Sequence, residues 1–193
     1  LLRHVPTAEL ASEAGESEEW VETSLERARR KLREAREERE HPALDDKRLA
    51  SWNALLAEGF IRAGRALGRE DWLDCADGIF LFIHRELWTG EQLHAVHYRG
   101  ESRFEAYLDD YAGLLHALTL SLQARWDRRH LDFAISLAEV ILHSFEDREN
   151  GGFFFSDANV KVPITRSMNF MDDATPAGNA IAIRALKRLG HLL

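Results

Sequence analysis

The chain has 193 residues, 45% of them hydrophobic and 30% charged, with a formal net charge of −8 and a pI near 5.6. That is a globular balance with enough length for one cored domain, and its acidity argues against a nucleic-acid partner. No stretch nears the roughly 20 apolar residues of a membrane helix, so no membrane association is expected. A single cysteine excludes an internal disulfide and suits a reducing, cytoplasmic setting.

No basic-then-apolar leader pattern opens the sequence. The chain starts Leu1-Leu2-Arg3 without Met and ends while a helical pattern is still running, so a piece of a longer protein is expected. Residues 18–39 read as a charge-rich peripheral helix with one narrow apolar stripe of Trp20, Val21, Leu25, Ala28, Leu32 and Ala35. Residues 49–67 are apolar nearly all round, as an interior helix would be, and a turn at Gly68-Arg69 leads into an outer helix over 71–87. Cys75 falls within that helix and is expected to be a small buried residue. A second interior helix over 107–123 is followed by an outer one over 128–145, and a third interior helix spans 174–189. Between them, residues 89–98, 150–156 and 160–166 carry turn signals beside alternating or aromatic runs, which predict short β-hairpins on a rim.

An internal repeat orders these helices. Asp45-Asp46, Asp109-Asp110 and Asp172-Asp173 each precede an interior helix, at intervals of 64 and 63 residues. Leu73, Ala76, Ile83 and Leu87 match Leu131, Ala134, Ile141 and Phe145 at a constant offset of 58. A unit of one inner and one outer helix is a helical hairpin. The expected fold is therefore all-α, a single partial (α/α)6 toroid domain over 1–193 with hairpins at about 47–87 and 107–146 and an unpaired inner helix at about 174–190. Three inner helices cannot close a six-hairpin ring. The open edge is expected to be covered by missing chain segments or by a second copy in a homo-oligomer.

Three segments resemble one family. Pro42-Ala43-Leu44-Asp45-Asp46-Lys47 with Ser51-Trp52-Asn53, Leu108-Asp109-Asp110-Tyr111-Ala112, and Ala174-Thr175-Pro176-Ala177-Gly178-Asn179 are similar to ordered motifs of a thioredoxin-domain-containing family. That family includes the spermatogenesis-associated proteins, and Gly151-Gly152-Phe153-Phe154 matches its turn before the third motif. The resemblance implies a six-hairpin, glycosidase-like toroid accompanied by a thioredoxin-like domain. No Cys-x-x-Cys occurs here, so a thiol redox role is not expected of this chain. Asp173 stands where the family often has Gly, and Ala177 where Ser is frequent.

Parallel inner helices would bring their N-termini, with unpaired amides and partial positive charge, to one end of a cavity. Asp46, Asp110 and Asp173 are the candidate catalytic residues there, since glycoside chemistry uses one protonated and one ionised carboxylate. Asp is equally a favoured N-cap, so each pair has a structural reading too; the doubling is what a cap alone leaves unexplained. Trp52, Asn53, Tyr111 and Asn179 are candidate substrate-binding residues. Each also has a packing or hydrogen-bonding alternative. His94, His97 and His116 raise an epimerase reading, although the first two point to opposite faces of a strand and His116 sits in an apolar helix. No spacing suggests a metal or other cofactor. Two functions follow: a carbohydrate-active toroid, hydrolase-like or epimerase-like, that takes a saccharide, or a non-catalytic scaffold beside a thioredoxin-like domain.

Overall fold

The computed structural model describes residues 5–160 and 165–193, and the chain divides into two compact units, Leu1–Asp45 and Asp46–Leu193. The first contains helices α1 (Thr7–Ala14) and α2 (Glu18–Glu37). Gly15, at φ 68°, turns the chain out of α1, and the Ser17 hydroxyl accepts from the Trp20 amide at 3.2 Å to start α2. Of the apolar stripe on α2 only Val21 is buried, and Trp20 and Leu32 stay exposed. Within this unit its packing partner is α1, whose eight residues reach along less than half of a helix roughly 30 Å long.

The second unit runs β1 (Arg48–Leu49), α3 (Ala50–Leu67), α4 (Glu70–Phe82), β2 (His94–Tyr98), β3 (Glu101–Glu105), α5 (Leu108–Ala124), α6 (Arg128–Val140) and α7 (Gly178–Gly190). Both α4 and α6 end in a five-residue π-helical turn, Ile83–Leu87 and Ile141–Phe145. The repeat therefore extends to backbone detail, at the same offset of 58. The four apolar residues at the ends of these turns are fully buried.

Helix α5 is the centre of the unit. It contacts α3, α4, α6 and α7, and every residue from Leu114 to Leu122 is buried. That is why its sequence has no polar face: each leucine it buries contributes roughly 2 kcal/mol over leaving it in water. Helices α3 and α7 flank α5 and bury stripes of small residues toward the core, Ala54 and Ala57 on α3 and Ala182 and Ala185 on α7. Helix α4 packs on α3 and α6 on α5. The result is two helical hairpins and a third inner helix, all-α with a small sheet on the rim, as expected of a partial toroid.

The sheet has strand order β1-β2-β3 and is antiparallel throughout. Arg99 and Gly100, both at positive φ, make the two-residue turn from β2 to β3. The second expected hairpin is reduced to one bridge between Glu146 and Phe153, and the strand expected at 160–166 lies mostly outside the described residues. Two other expectations are corrected. The last helix begins at Gly178 rather than at 174, because Pro176 disfavours helix at Thr175 and the Asp172 carboxylate holds the Ala177 amide at 2.9 Å. Cys75 is exposed; the buried stripe of α4 is Leu73, Ala76 and Phe80, and Cys75 lies off it. Among the described residues no helix is long and apolar enough to cross a membrane.

Candidate functional site

The inner helices bring their N-termini together, and two adjacent carboxylates of α5 connect them. Asp110 is 6% exposed. One of its oxygens accepts from the Tyr107 amide at the start of its own helix, and the other from the Ser51 amide in the first turn of α3, each at 3.0 Å. Burial pushes the Asp110 carboxyl above the usual carboxylate range, and these hydrogen bonds pull the other way. Asp109 turns to the opposite neighbour. A Cβ on Gly178, the first residue of α7, would lie 2.0 Å from Asp109 Oδ1. Asp109 Oδ1 is buried without a hydrogen-bond partner among the described residues. Burial first, and the Asp110 charge second, raise the Asp109 carboxyl, and the Gly178 amide offsets this in part.

The repeat of paired aspartates is therefore not a repeat of roles. Asp46 is exposed ahead of β1, and Asp173 is exposed in the loop before α7. Neither lines the cleft of about 270 Å³ at the helix ends, whose walls include Ser51, Trp52, Leu55, Tyr107, Asp109, Asp110, Phe155 and Thr175. Trp52 is 67% exposed and offers its ring there. Tyr107 stacks on Phe155 with ring centroids 4.5 Å apart and planes 11° from parallel, which makes a second flat aromatic wall.

The other three candidate binding residues are engaged in structural hydrogen bonds. The Asn53 side-chain amide donates at 2.8 Å to the carbonyl oxygen of Leu49, the residue just before its helix. The buried Tyr111 hydroxyl accepts from the Leu93 amide at 2.8 Å, and burial holds its pKa up at about 12. Asn179 pairs with the backbone of Phe153 in both directions, Oδ1 accepting at 2.7 Å and Nδ2 donating at 2.8 Å, and Nδ2 also donates to Asn169 O at 3.1 Å. Leu93 and Phe153 are each the second member of the bridge that follows an outer helix. Tyr111 and Asn179 thus do the same work in successive repeats, tying that bridge to the next inner helix.

Sequence reasoning passed over Tyr107 and Phe155 and gave Asp109 only a companion's place. Tyr107 immediately precedes the Leu-Asp-Asp motif, and Phe155 closes the aromatic run, so both were visible as residues but not as partners. Of the histidines, His97 is buried against Ser102 and Phe82, and His116 lies deeper along α5 beside Glu58. A larger cavity of about 480 Å³ lies between α4 and α6, lined by Phe80, His84, Trp88 and Phe133, and includes none of the carboxylates of α5. Among the described residues no cluster of three or more His, Cys, Asp or Glu is placed to hold a metal.

No protein-family model matches the chain. Human spermatogenesis-associated protein 20 is 28% identical over 190 residues, 93% of this chain and 24% of that protein. The chain thus spans about a quarter of the length of this relative. Several solved structures share its fold. Cellobiose 2-epimerase from Bacillus thermoamylovorans superposes with a TM-score of 0.60 at 12% identity, covering 78% of this chain and 42% of the enzyme. A GH76 α-mannanase from Bacteroides thetaiotaomicron does so with a TM-score of 0.62 at 15% identity, again covering 78% and 42%.

Proposed function

We propose that this chain, a homologue of spermatogenesis-associated protein 20 and a segment of a six-hairpin glycosidase-like toroid, contributes a saccharide-binding cleft at the N-termini of its inner helices. The observation that carries the reading is the Asp109–Asp110 pair opening into a cleft between the Trp52 ring and the Tyr107–Phe155 stack. Aromatic faces suit the apolar faces of a sugar ring, and paired carboxylates suit its hydroxyls. Asp109 has the stronger claim to a proton-transfer role, because its carboxyl is raised and it is not tied, as Asp110 is, to two backbone amides. Asp110 positions the helix ends around it. Asp46 and Asp173 are exposed nearby in sequence to these helices and would meet a ligand only at its outer end.

The fold supports the same reading, since the toroids it resembles are named for work on cellobiose and mannan. The exposed apolar residues Leu55 and Leu56 on α3 and Ile183 on α7 call for cover, from further hairpins of the ring or from a second copy. A thioredoxin-like companion domain and a cytoplasmic setting belong to the same proposal.

A scaffold role is the second reading. It is favoured by the engagement of Asp110, Tyr111 and Asn179 in backbone hydrogen bonds. Titrating the chain with cellobiose, mannobiose and their longer oligomers by calorimetry separates the two. The saccharide reading expects saturable binding that Trp52→Ala weakens at least tenfold, a change of about 1.4 kcal/mol. Absence of binding across the panel, or binding that ignores Trp52, leaves the scaffold.

A further inference from the structure

Beyond the carboxylates, the same helix faces carry the opposite charge. Helical spacing puts Glu58 and Arg62 on the same face of α3 as the cleft residue Leu55, His116 on the face of α5 that carries Gly113, and Arg184 and Arg188 on the face of α7 that carries Ile181. At 1.5 Å per residue, His116 lies about 9 Å along α5 from Asp110. Arg62 Nε donates to Glu58 Oε1 at 2.7 Å, and that oxygen is 3.6 Å from His116 Nε2. The charges of Arg62, Arg184 and Arg188 all bear on His116, and those of Arg62 and Arg184 bear on Arg188. Glu58 is paired with Arg62, and the guanidinium groups of Arg184 and Arg188 bear on the same imidazole in a protein that is acidic as a whole. Two buried nitrogens of the cluster have no partner among the described residues: Nδ1 of His116, a residue 4% exposed, and Nη1 of Arg188. Buried polar atoms are nearly always paired, and clustered guanidinium groups that outnumber the carboxylates beside them are what oxyanion sites are built from.

We propose that Arg62, His116, Arg184 and Arg188 form an oxyanion subsite that takes a carboxylate or phosphate group. With Glu58 opposite Nε2, the neutral imidazole keeps its proton there and presents a lone pair at Nδ1. Burial and the three arginines hold His116 below its ordinary range, and Glu58 opposes them. A bound anion offsets the arginine charges and accepts from Nδ1 once it is protonated, so filling the site draws a proton onto His116.

The test follows the His116 ring by nitrogen–proton NMR while the chain is titrated, at constant ionic strength, with inorganic phosphate and separately with acetate. The expected result is a saturable change at His116 with a rise in its pKa, weakened about tenfold in Arg188→Gln and in Arg184→Gln; the latter side chain is exposed, so that variant keeps the fold. Response to phosphate alone assigns a phosphate-bearing ligand, to acetate alone a carboxylate, and to both a general oxyanion site. No response to either anion at 0.1 M on the order of physiological ionic strength, or a response unchanged in both arginine variants, overturns the proposal. Neither probe is a sugar, so the outcome does not depend on the saccharide reading.

Discussion

The carboxylate of Asp110 accepts from the backbone amide of Ser51 at 3.0 Å, 59 residues away in sequence and on a different inner helix. With its second bond to the Tyr107 amide, one aspartate satisfies donors at two helix N-termini at once. The neighbouring Asp109 lies against the N-terminus of the third inner helix. The two aspartates therefore differ: Asp110 caps two helices, while Asp109 faces the third with its nearer oxygen making no hydrogen bond among the described residues.

Replacing Asp110 by Ala strands two amides, and the chain should lose about 2 kcal/mol of stability. Asp110→Asn retains one carbonyl oxygen and can serve only one of the amides, so its loss should be about half as large. Urea denaturation midpoints at constant slope measure both. Equal midpoints for the wild type and the Ala variant would show that water serves these amides as well as the carboxylate does.

Asp109 makes a prediction in pH. Its carboxyl is raised in the folded chain, by burial and then by the charge of Asp110. The folded state therefore binds a proton more tightly than the unfolded one. The stability this confers is present below the ordinary aspartate range, about pH 4, and is lost as pH rises through the raised value. Asp109→Asn removes the ionisation, so it should raise the melting temperature at pH 7 and change it little at pH 4. A variant that melts lower at pH 7 would mean that the Gly178 amide outweighs burial.

Much of this fold was legible in the sequence, because periodicity reports burial. An α5 that is apolar on all sides is surrounded by helices, and the 58-residue offset between outer helices persists into their π-helical ends. The site was less legible. The aspartate pairs look equivalent in sequence, but Asp46 is held away from α3 by the strand Arg48–Leu49, and Pro176 delays α7 past Asp173. Tyr111 and Asn179 were recognisable as polar residues facing an interior. Their partners, Leu93 and Phe153, lie 18 and 26 residues earlier, in connections whose path no local pattern encodes.

Those two bonds are individually testable. Tyr111→Phe leaves the Leu93 amide unpaired in the core and should cost about 1–2 kcal/mol. Asn179→Ala removes three bonds and should cost roughly 2–4 kcal/mol. Hydrogen exchange gives the specific readout: the Leu93 amide loses protection in the first variant, and the Phe153 amide in the second. If both amides stay protected, the bridges are held by the outer helices alone.

The closest approach in the site yields a coupling between two positions. A methyl on Gly178 would meet Asp109 Oδ1 at 2.0 Å, Cγ at 3.1 Å and Cα at 3.4 Å. The carboxylate oxygen and its Cγ would both have to move to admit the methyl, whereas the Cα at 3.4 Å is at ordinary contact distance. Gly178→Ala should therefore cost about 1–3 kcal/mol by overpacking. Asp109→Ala removes the obstructing carboxylate, and in that background alanine at 178 meets only ordinary contacts and gains up to about 1 kcal/mol of helix preference over glycine. The double variant should then be more stable than Gly178→Ala alone, with a coupling of at least about 1 kcal/mol in a double-mutant cycle. Simple additivity would show that α7 yields to the methyl, and that its distance from α5 is set by the Asn179–Phe153 pairing rather than by Asp109.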